Sequence, residues 1–384
     1  MPFVQTLIAA RPVVAAFAAM GVVWGTFAAD LPDLKAQLGV DEARLGLLLL
    51  FTPLAAVLSM LMAPMLGHAL GRVAVPVAAM AMALSFALPG QVATAALFPI
   101  AMMACGAATG LTDVLMNART AQIENDRDLH LMNLTHAAYS FGYAGGALLT
   151  GALRAQGWGP GAVLGSMAAL AFLLALFTLE RDGRIRGLTR REAGPGGAGL
   201  GLVPLIGGGI VLIAFLTENA SESWSALHIE KTLGGSPGEG AMGPAVLALT
   251  MGFARLAGQG IVARVSAQRL LIGGALVAGC GLLVAGFAVT PAMAHAGFVV
   301  TGIGAALISP TAFSLVGRLG PPEQRARAVA RATFFGYFGY FFGPPALGFV
   351  AGAFGLRAAF VFTALMLMAI LILAPMMGRA AKRA

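Results

Sequence analysis

Five ionisable side chains, Asp113, His136, Glu218, Glu222 and Arg255, lie within or at the edges of runs apolar enough to cross a bilayer. A charge in hydrocarbon is costly, so membrane helices keep one for a partner or a water-filled pathway. Asp113 and Asn117 stand four apart and share one helix face. Asn133, His136 and Ser140 follow i, i+3, i+7 and form a stripe on the next helix. A carboxylate beside an imidazole can hold and release a proton near neutral pH; the same pair can also be a static staple between two helices. Glu218 and Glu222 share a face, with Asn219 beside the first. Two carboxylates this close suit a proton-binding site. Arg255 requires an anion, and Glu218 or Asp113 is the expected partner, whether for coupling or as a structural bridge. Asp113, His136, Glu218 and Arg255 are therefore the expected proton-coupling set. Glu222 is kept among the cavity candidates, although its place near a helix end favours exposure to solvent.

Further polar and aromatic residues could line a solute cavity. Trp24, Tyr143, Tyr337 and Tyr340 offer apolar faces with polar tips, which suit sugar-like or amphipathic solutes. Ser309, Thr311 and Ser314 beside Pro310 make a polar, kinkable wall. Trp158 and Trp224 read instead as packing and interfacial anchors. The sequence contains no His-Glu-x-x-His and no Gly-x4-Gly-Lys-Ser/Thr. Catalysis, direct use of ATP, a cofactor and a metal are not expected on that ground.

The elements that must position these residues are membrane helices. The chain has 384 residues, 59% of them hydrophobic and only 10% charged, far from the quarter charged of soluble domains. Apolar runs and breakers give twelve segments, near 11–32, 44–67, 73–90, 93–118, 131–153, 159–179, 203–227, 241–263, 270–289, 294–317, 329–352 and 357–378. Runs of this length are helices, since barrel strands would be half as long and would alternate. The first run lacks a cleavage pattern and reads as a retained span. Eighteen of the 24 Lys and Arg residues fall on the side that carries both chain ends, five on the other side and one, Arg255, within a span. That asymmetry places both termini in the cytoplasm of a bacterial-type inner membrane. It also accounts for the net charge of +8 without nucleic acid. Cys105 and Cys280 sit in apolar runs and suggest neither a disulfide nor a metal.

A polar stretch from Glu180 to Gly199 divides the spans six and six and reads as a solvated basic loop. The expected organisation is a six-helix bundle over 1–179, a cytoplasmic linker over 180–202 and a second bundle over 203–384. Two echoes support a duplicated unit. Gly142-Tyr143-x-x-Gly146-x4-Gly151 recurs as Gly339-Tyr340-x-x-Gly343-x4-Gly348, and Leu34–Gly39 resembles Ile229–Gly234 at nearly the same offset. Glycines at these spacings let helix backbones approach closely.

Twelve spans in a 6+6 arrangement with a central basic loop resemble the major facilitator superfamily over nearly the whole chain. Gly110-Leu-Thr-Asp113-Val-Leu-Met-Asn117, Leu131-Met-Asn-Leu-Thr-His136-Ala-Ala-Tyr-Ser140-Phe-Gly142, and Glu218-Asn-Ala-Ser-Glu222-Ser-Trp224 leading to Arg255-Leu-Ala-Gly258 are similar to its fucose-permease-like branch. The resemblance implies an all-α integral membrane fold of two pseudo-symmetric bundles, with spans 1, 4, 7 and 10 around a central cavity and 3, 6, 9 and 12 toward lipid. Apart from Arg357 at the first position of the last one, no Asp, Glu, Lys, Arg or His falls inside those four lipid-facing spans. It further implies a monomeric secondary active transporter in membrane lipid, moving a small polar solute by alternating access with protons, sugar-like solutes being among the candidates. A proton-driven exporter of drugs or amphipathic metabolites is the alternative. The chain departs from the superfamily pattern in its loop between spans 2 and 3. His68-Ala-Leu-Gly-Arg72 lacks the usual acid, as does Ala263-Arg264-Val265-Ser266 between spans 8 and 9. Span 4 has no Arg before Arg119, and Gly145-Gly146 precedes Ala147 rather than a proline, against a typical drug antiporter.

Overall fold

A computed structural model describes residues 3–129, 131–186, 188, 201–262, 264–319 and 325–381. Among them there are helices and no strands. The first half contains α1 (Phe3–Leu38), α2 (Glu42–Leu49) with α3 (Phe51–Leu70), α4 (Ala74–Ser85) with α5 (Leu88–Gln91), α6 (Phe98–Arg127), α7 (Met132–Ala155) and α8 (Pro160–Leu176). The second contains α9 (Val203–Leu227) extended by a π-helical turn His228–Thr232, α10 (Pro237–Val262), α11 (Ala267–Gly286), α12 (Pro291–Ala305) with α13 (Ile308–Leu319), α14 (Arg325–Phe354), and α15 (Leu356–Met368) with α16 (Ile370–Ala381). Counting the interrupted helices once gives the twelve spans. Eight helical stretches, one of them the hairpin from Glu42 to Gln91, are long and apolar enough to cross a membrane.

The end of the bundle that carries the chain termini is called proximal below, and the opposite end distal. Glycines set how closely the helices approach. On α1 and α7, a Cβ at Gly21 or Gly25 would strike the Tyr139 or Tyr143 backbone. One at Gly142 or Gly146 would strike that of Ala18 or Val22. In the second half Gly339 lies on the backbone of α9 at Leu212. The last glycine of each echoed motif does something else. Gly151 packs on Ala241 and Gly238 of α10, and Gly348 packs on Glu42 and Gly46 of α2. Each reaches across to the other half.

These contacts form a distal seam. Ala29, Ala144 and Ala147 pack there against Ala241 and Ala245, and Gly352 lies on Ala43. Nearer the middle, Gly252 touches the Ser140 side chain, and Phe141 meets Phe253 with ring centroids 5.4 Å apart. His136, toward the proximal end of α7, is exposed.

The stretch after α8 is not the freely solvated loop expected of it. Arg119, 7% exposed, donates Nε and Nη2 to the two oxygens of Glu180 at 2.8 Å each, and also to the Asp182 carbonyl. Arg186 pairs with Asp126, and its N–H donates to Gln122. Ile185 is buried. Glu180–Arg186 is thus strapped across the proximal end of α6, because its acids answer the arginine that ends the span. Residues 187 and 189–200 of the expected linker lie outside the described residues.

Candidate functional site

Arg255 on α10 is the pivot of the central site. Proline has no N–H, so Pro310 leaves the carbonyl four residues before it, that of Ala306, without its helical donor. The α12–α13 helix breaks there, and Arg255 Nε donates to the Ala306 oxygen at 3.4 Å. Arg255 Nη2 faces Glu218 Oε1 at 3.4 Å, and the Tyr340 hydroxyl donates to Glu218 Oε2 at 3.4 Å. Glu218 is 7% exposed. The guanidinium, the carboxylate and the phenol therefore join α10, α9 and α14 beneath a kink in a fourth helix. Of the two anions expected for Arg255, Glu218 is the one it meets.

Aromatic rings complete this wall. Phe215 stacks on Tyr340 at a centroid distance of 4.6 Å and meets Tyr337 edge-on at 5.8 Å. Tyr139 and Tyr143 on α7 lie 5.9 Å apart. The charges of Glu222, Glu218, Arg255 and Asp113 all act on the Tyr139 hydroxyl, and those of Glu222 and Tyr340 on that of Tyr143. Asp113 likewise acts on Tyr337 across the two halves. Glu218 and Arg255, which sequence placed on two different spans, thus meet directly, with Glu222 one turn along α9.

Two expectations change. Asp113 and His136 do not pair: among the described residues, no hydrogen bond or ion pair joins them. Asn117 Nδ2 donates to the Asp113 carboxylate at 3.1 Å and to its carbonyl at 2.9 Å, while His136 sits edge-on to Phe17 at 5.0 Å and faces the charge of Arg255. Asp113 is bonded by Asn117 and His136 packs on Phe17, so the stripe on α7 and the face of α6 do not meet. Glu222 is not a solvent-exposed helix end. The π-helical turn carries α9 on to Thr232, so Glu222 lies well inside the span and is half-buried.

The remaining candidates are spread more widely. Trp24 is half-buried and packs edge-on to Phe86 at 5.0 Å, with Tyr139 and Tyr143 nearby. Ser140 is buried against Gly252 of the other half. The Asn219 carbonyl oxygen and the Ser309 hydroxyl are buried without partners among the described residues. Thr311 and Ser314 line a separate proximal cavity of about 380 Å³ with Arg264, Ser266, Leu270 and Arg318, so that wall of α13 turns away from the charged site. The side chain of Asn133 lies outside the described residues. Trp224 is fully buried and is core packing, not an interfacial anchor.

A second cluster escaped the sequence reading. Arg154 ends α7 at the distal seam and is 5% exposed. Its Nε and Nη2 donate to Asp33 at 2.7 and 2.8 Å. Nη1 and Nη2 donate to Glu230 at 2.7 and 3.0 Å, and Nη1 also reaches the Ala29 carbonyl at 2.8 Å beside Pro32. Asp33 belongs to the first half and Glu230 to the second, so one guanidinium ties them together. The sequence signal was available: Asp30 and Asp33 flank Pro32 at the distal end of α1, level with Arg154.

Known proteins match this architecture. A family model described as Major Facilitator Superfamily matches residues 206–383. A protein of Yersinia pestis described as an uncharacterized MFS-type transporter is 31% identical over 360 residues, 92% of each chain. Among solved structures, the nucleoside transporter NupG superposes with a TM-score of 0.75 at 14% identity, covering 97% of this chain and 99% of that one. A variant of the E. coli fucose:proton symporter FucP superposes with a TM-score of 0.60 at 18% identity, covering 95% and 97%.

Proposed function

Since this chain belongs to the major facilitator superfamily and is a multi-pass membrane transporter, we propose that it is a proton-coupled secondary carrier of a small polar solute. The observation that carries the reading is the Glu218–Arg255–Tyr340 contact with Asp113 and Glu222 nearby. A structural ion pair alone would need one carboxylate; here Glu218 meets the guanidinium and Glu222 stands one helical turn along the same face. Protons can relieve that excess, and losing or gaining them changes how strongly Arg255 is held. The tyrosine faces around the site suit a ring-bearing polar solute, and the fold neighbours include a nucleoside transporter and a fucose:proton symporter.

In the proposed cycle the bundles over 1–179 and 203–384 rock about this site. The distal end faces the extracytoplasmic side, and both termini lie in the cytoplasm of the inner membrane, in keeping with the Lys and Arg asymmetry. The arrangement described above is then inward-facing, its outer side closed by the Arg154 cluster. A monomer suffices for this cycle.

The test is transport in proteoliposomes with an imposed proton gradient. Asp113→Asn and Glu218→Gln are expected to abolish gradient-driven accumulation yet to retain counterflow exchange, which needs no net proton release. Unchanged accumulation in both variants removes these residues from coupling. Gradient-driven efflux of lipophilic drugs, with no movement of polar solutes, would favour the exporter alternative.

A further inference from the structure

Glu222 and Tyr143 stand at the central site outside the Glu218–Arg255–Tyr340 contact. Glu222 is half-buried, and among the described residues it makes no hydrogen bond or ion pair. Arg255, the nearest cation, is held by Glu218 and the Ala306 carbonyl. Tyr143 is only 1% exposed, yet its hydroxyl also has no hydrogen-bond partner among the described residues, and it lies within range of the Glu222 charge. The ring is enclosed, but its oxygen is not among the fully buried polar atoms that lack a partner, so it is accessible to a solute. Tyr139 packs on Tyr143 and Tyr340 on Glu218, one turn from Glu222, and aromatic faces attract cations.

We infer that Glu222 receives a protonated amine on the transported solute, with the Tyr143 hydroxyl accepting a second ammonium hydrogen. The substrate class is then an amine-bearing polar ring compound, such as an amino sugar or amino polyol, and not a neutral sugar. The ammonium supplies the cation that the site lacks and sits against the aromatic faces. The ring hydroxyls are left for the amide and hydroxyl groups nearby, among them the unpartnered Asn219 oxygen. This assignment rests on the reading of the chain as a polar-solute carrier.

The experiment is a thermal-shift and binding titration of the full-length protein in detergent. The ring-matched probes are D-glucosamine, N-acetyl-D-glucosamine and D-glucose, whose amine is charged, acylated and absent; tetraphenylphosphonium is included as a lipophilic cation. Stabilisation by glucosamine well above its two neutral analogues is expected. That preference should fall by about tenfold or more in Glu222→Gln, the loss typical of a charge-assisted hydrogen bond, and should survive in Glu222→Asp. Tyr143→Phe should weaken glucosamine and leave the neutral sugars unchanged. Equal stabilisation by all three sugars, or a preference that survives Glu222→Gln, overturns the amine assignment and leaves the polar-solute reading standing. Binding of tetraphenylphosphonium alone, or silence of the whole panel, counts against both.

Discussion

A guanidinium has five N–H groups, and Arg154 engages all of them: two to Asp33, two to Glu230 and one to the Ala29 carbonyl. Asp30, wholly buried, stands 3.5 Å from the same group and receives no hydrogen bond. The two residues should therefore respond differently to substitution. Arg154→Ala strands two carboxylates that were bonded and a third that was only neutralised, and is expected to cost about 3–5 kcal/mol. Asp30→Asn loses no hydrogen bond and is expected to cost under about 1 kcal/mol. Thermal unfolding in detergent measures both; a large loss from Asp30→Asn would mean that its charge, not its shape, is needed. The contrast with Arg255 shows what sequence can reveal at this scale. Arg255 lies mid-run, so hydrocarbon itself demands an anion, and Glu218 was legible as one of two candidates, beside Asp113. Arg154 lies at the end of a run, where an arginine ordinarily meets water. Only the closure of one half against the other buries it.

At the scale of the helix, prolines and glycines decide where side chains can work. Pro310 opens the carbonyl that anchors Arg255, and the glycines of α1 and α7 bring two backbones into contact. Adjacent glycines on α7 make the point testable. A Cβ at Gly146 meets the Val22 backbone, whereas one at Gly145 meets nothing within 4 Å. Gly146→Ala is expected to destabilise by about 1–3 kcal/mol through overpacking against atoms that cannot rotate away. Gly145→Ala should stabilise by about 0.5–1 kcal/mol through helix propensity alone. Paired melts of the two variants separate these outcomes, and equal shifts would deny the close approach. The echo between spans 5 and 11 was readable in the sequence because the same glycines recur at the same spacing. What could not be read was the partner of each: Gly146 meets its own half and Gly151 the other. That depends on how the halves meet, and no local pattern encodes it. The π-helical turn that brought Glu222 inward was hidden for the same reason, since His228–Thr232 carries no distinctive composition.

For the whole molecule, the distal seam is a stack of alanines and glycines closed by one bridge between halves. Small side chains bury little apolar area, so a large share of the closure free energy falls on Glu230 and Arg154. Glu230→Gln keeps the shape, and Asp33 still holds Arg154. The variant is expected to shift the population toward the distally open state by about tenfold, the worth of one charge-assisted contact. Spin labels at Gln156 and Ser236, flanking the seam, would report this as growth of a longer-distance population. An unchanged distribution would mean that alanine packing alone keeps the seam shut. The twelve-helix frame and its two halves followed from composition and periodicity.

The seam also has an electrical meaning. A transmembrane voltage falls where the insulation is, not evenly along the protein. In the proposed inward-facing arrangement, the region around His136 and Glu222 holds nearly the potential of the compartment it opens to. Most of the field then drops across the thin alanine layer near Arg154. In the proposed rocking motion that layer is exchanged for one on the opposite side. An ion seated at Glu222 would cross most of the membrane potential without moving relative to its ligands, at about 2.3 kcal/mol per charge for each 100 mV. Voltage would then act on the rearrangement of the halves, not on the arrival or departure of the ion.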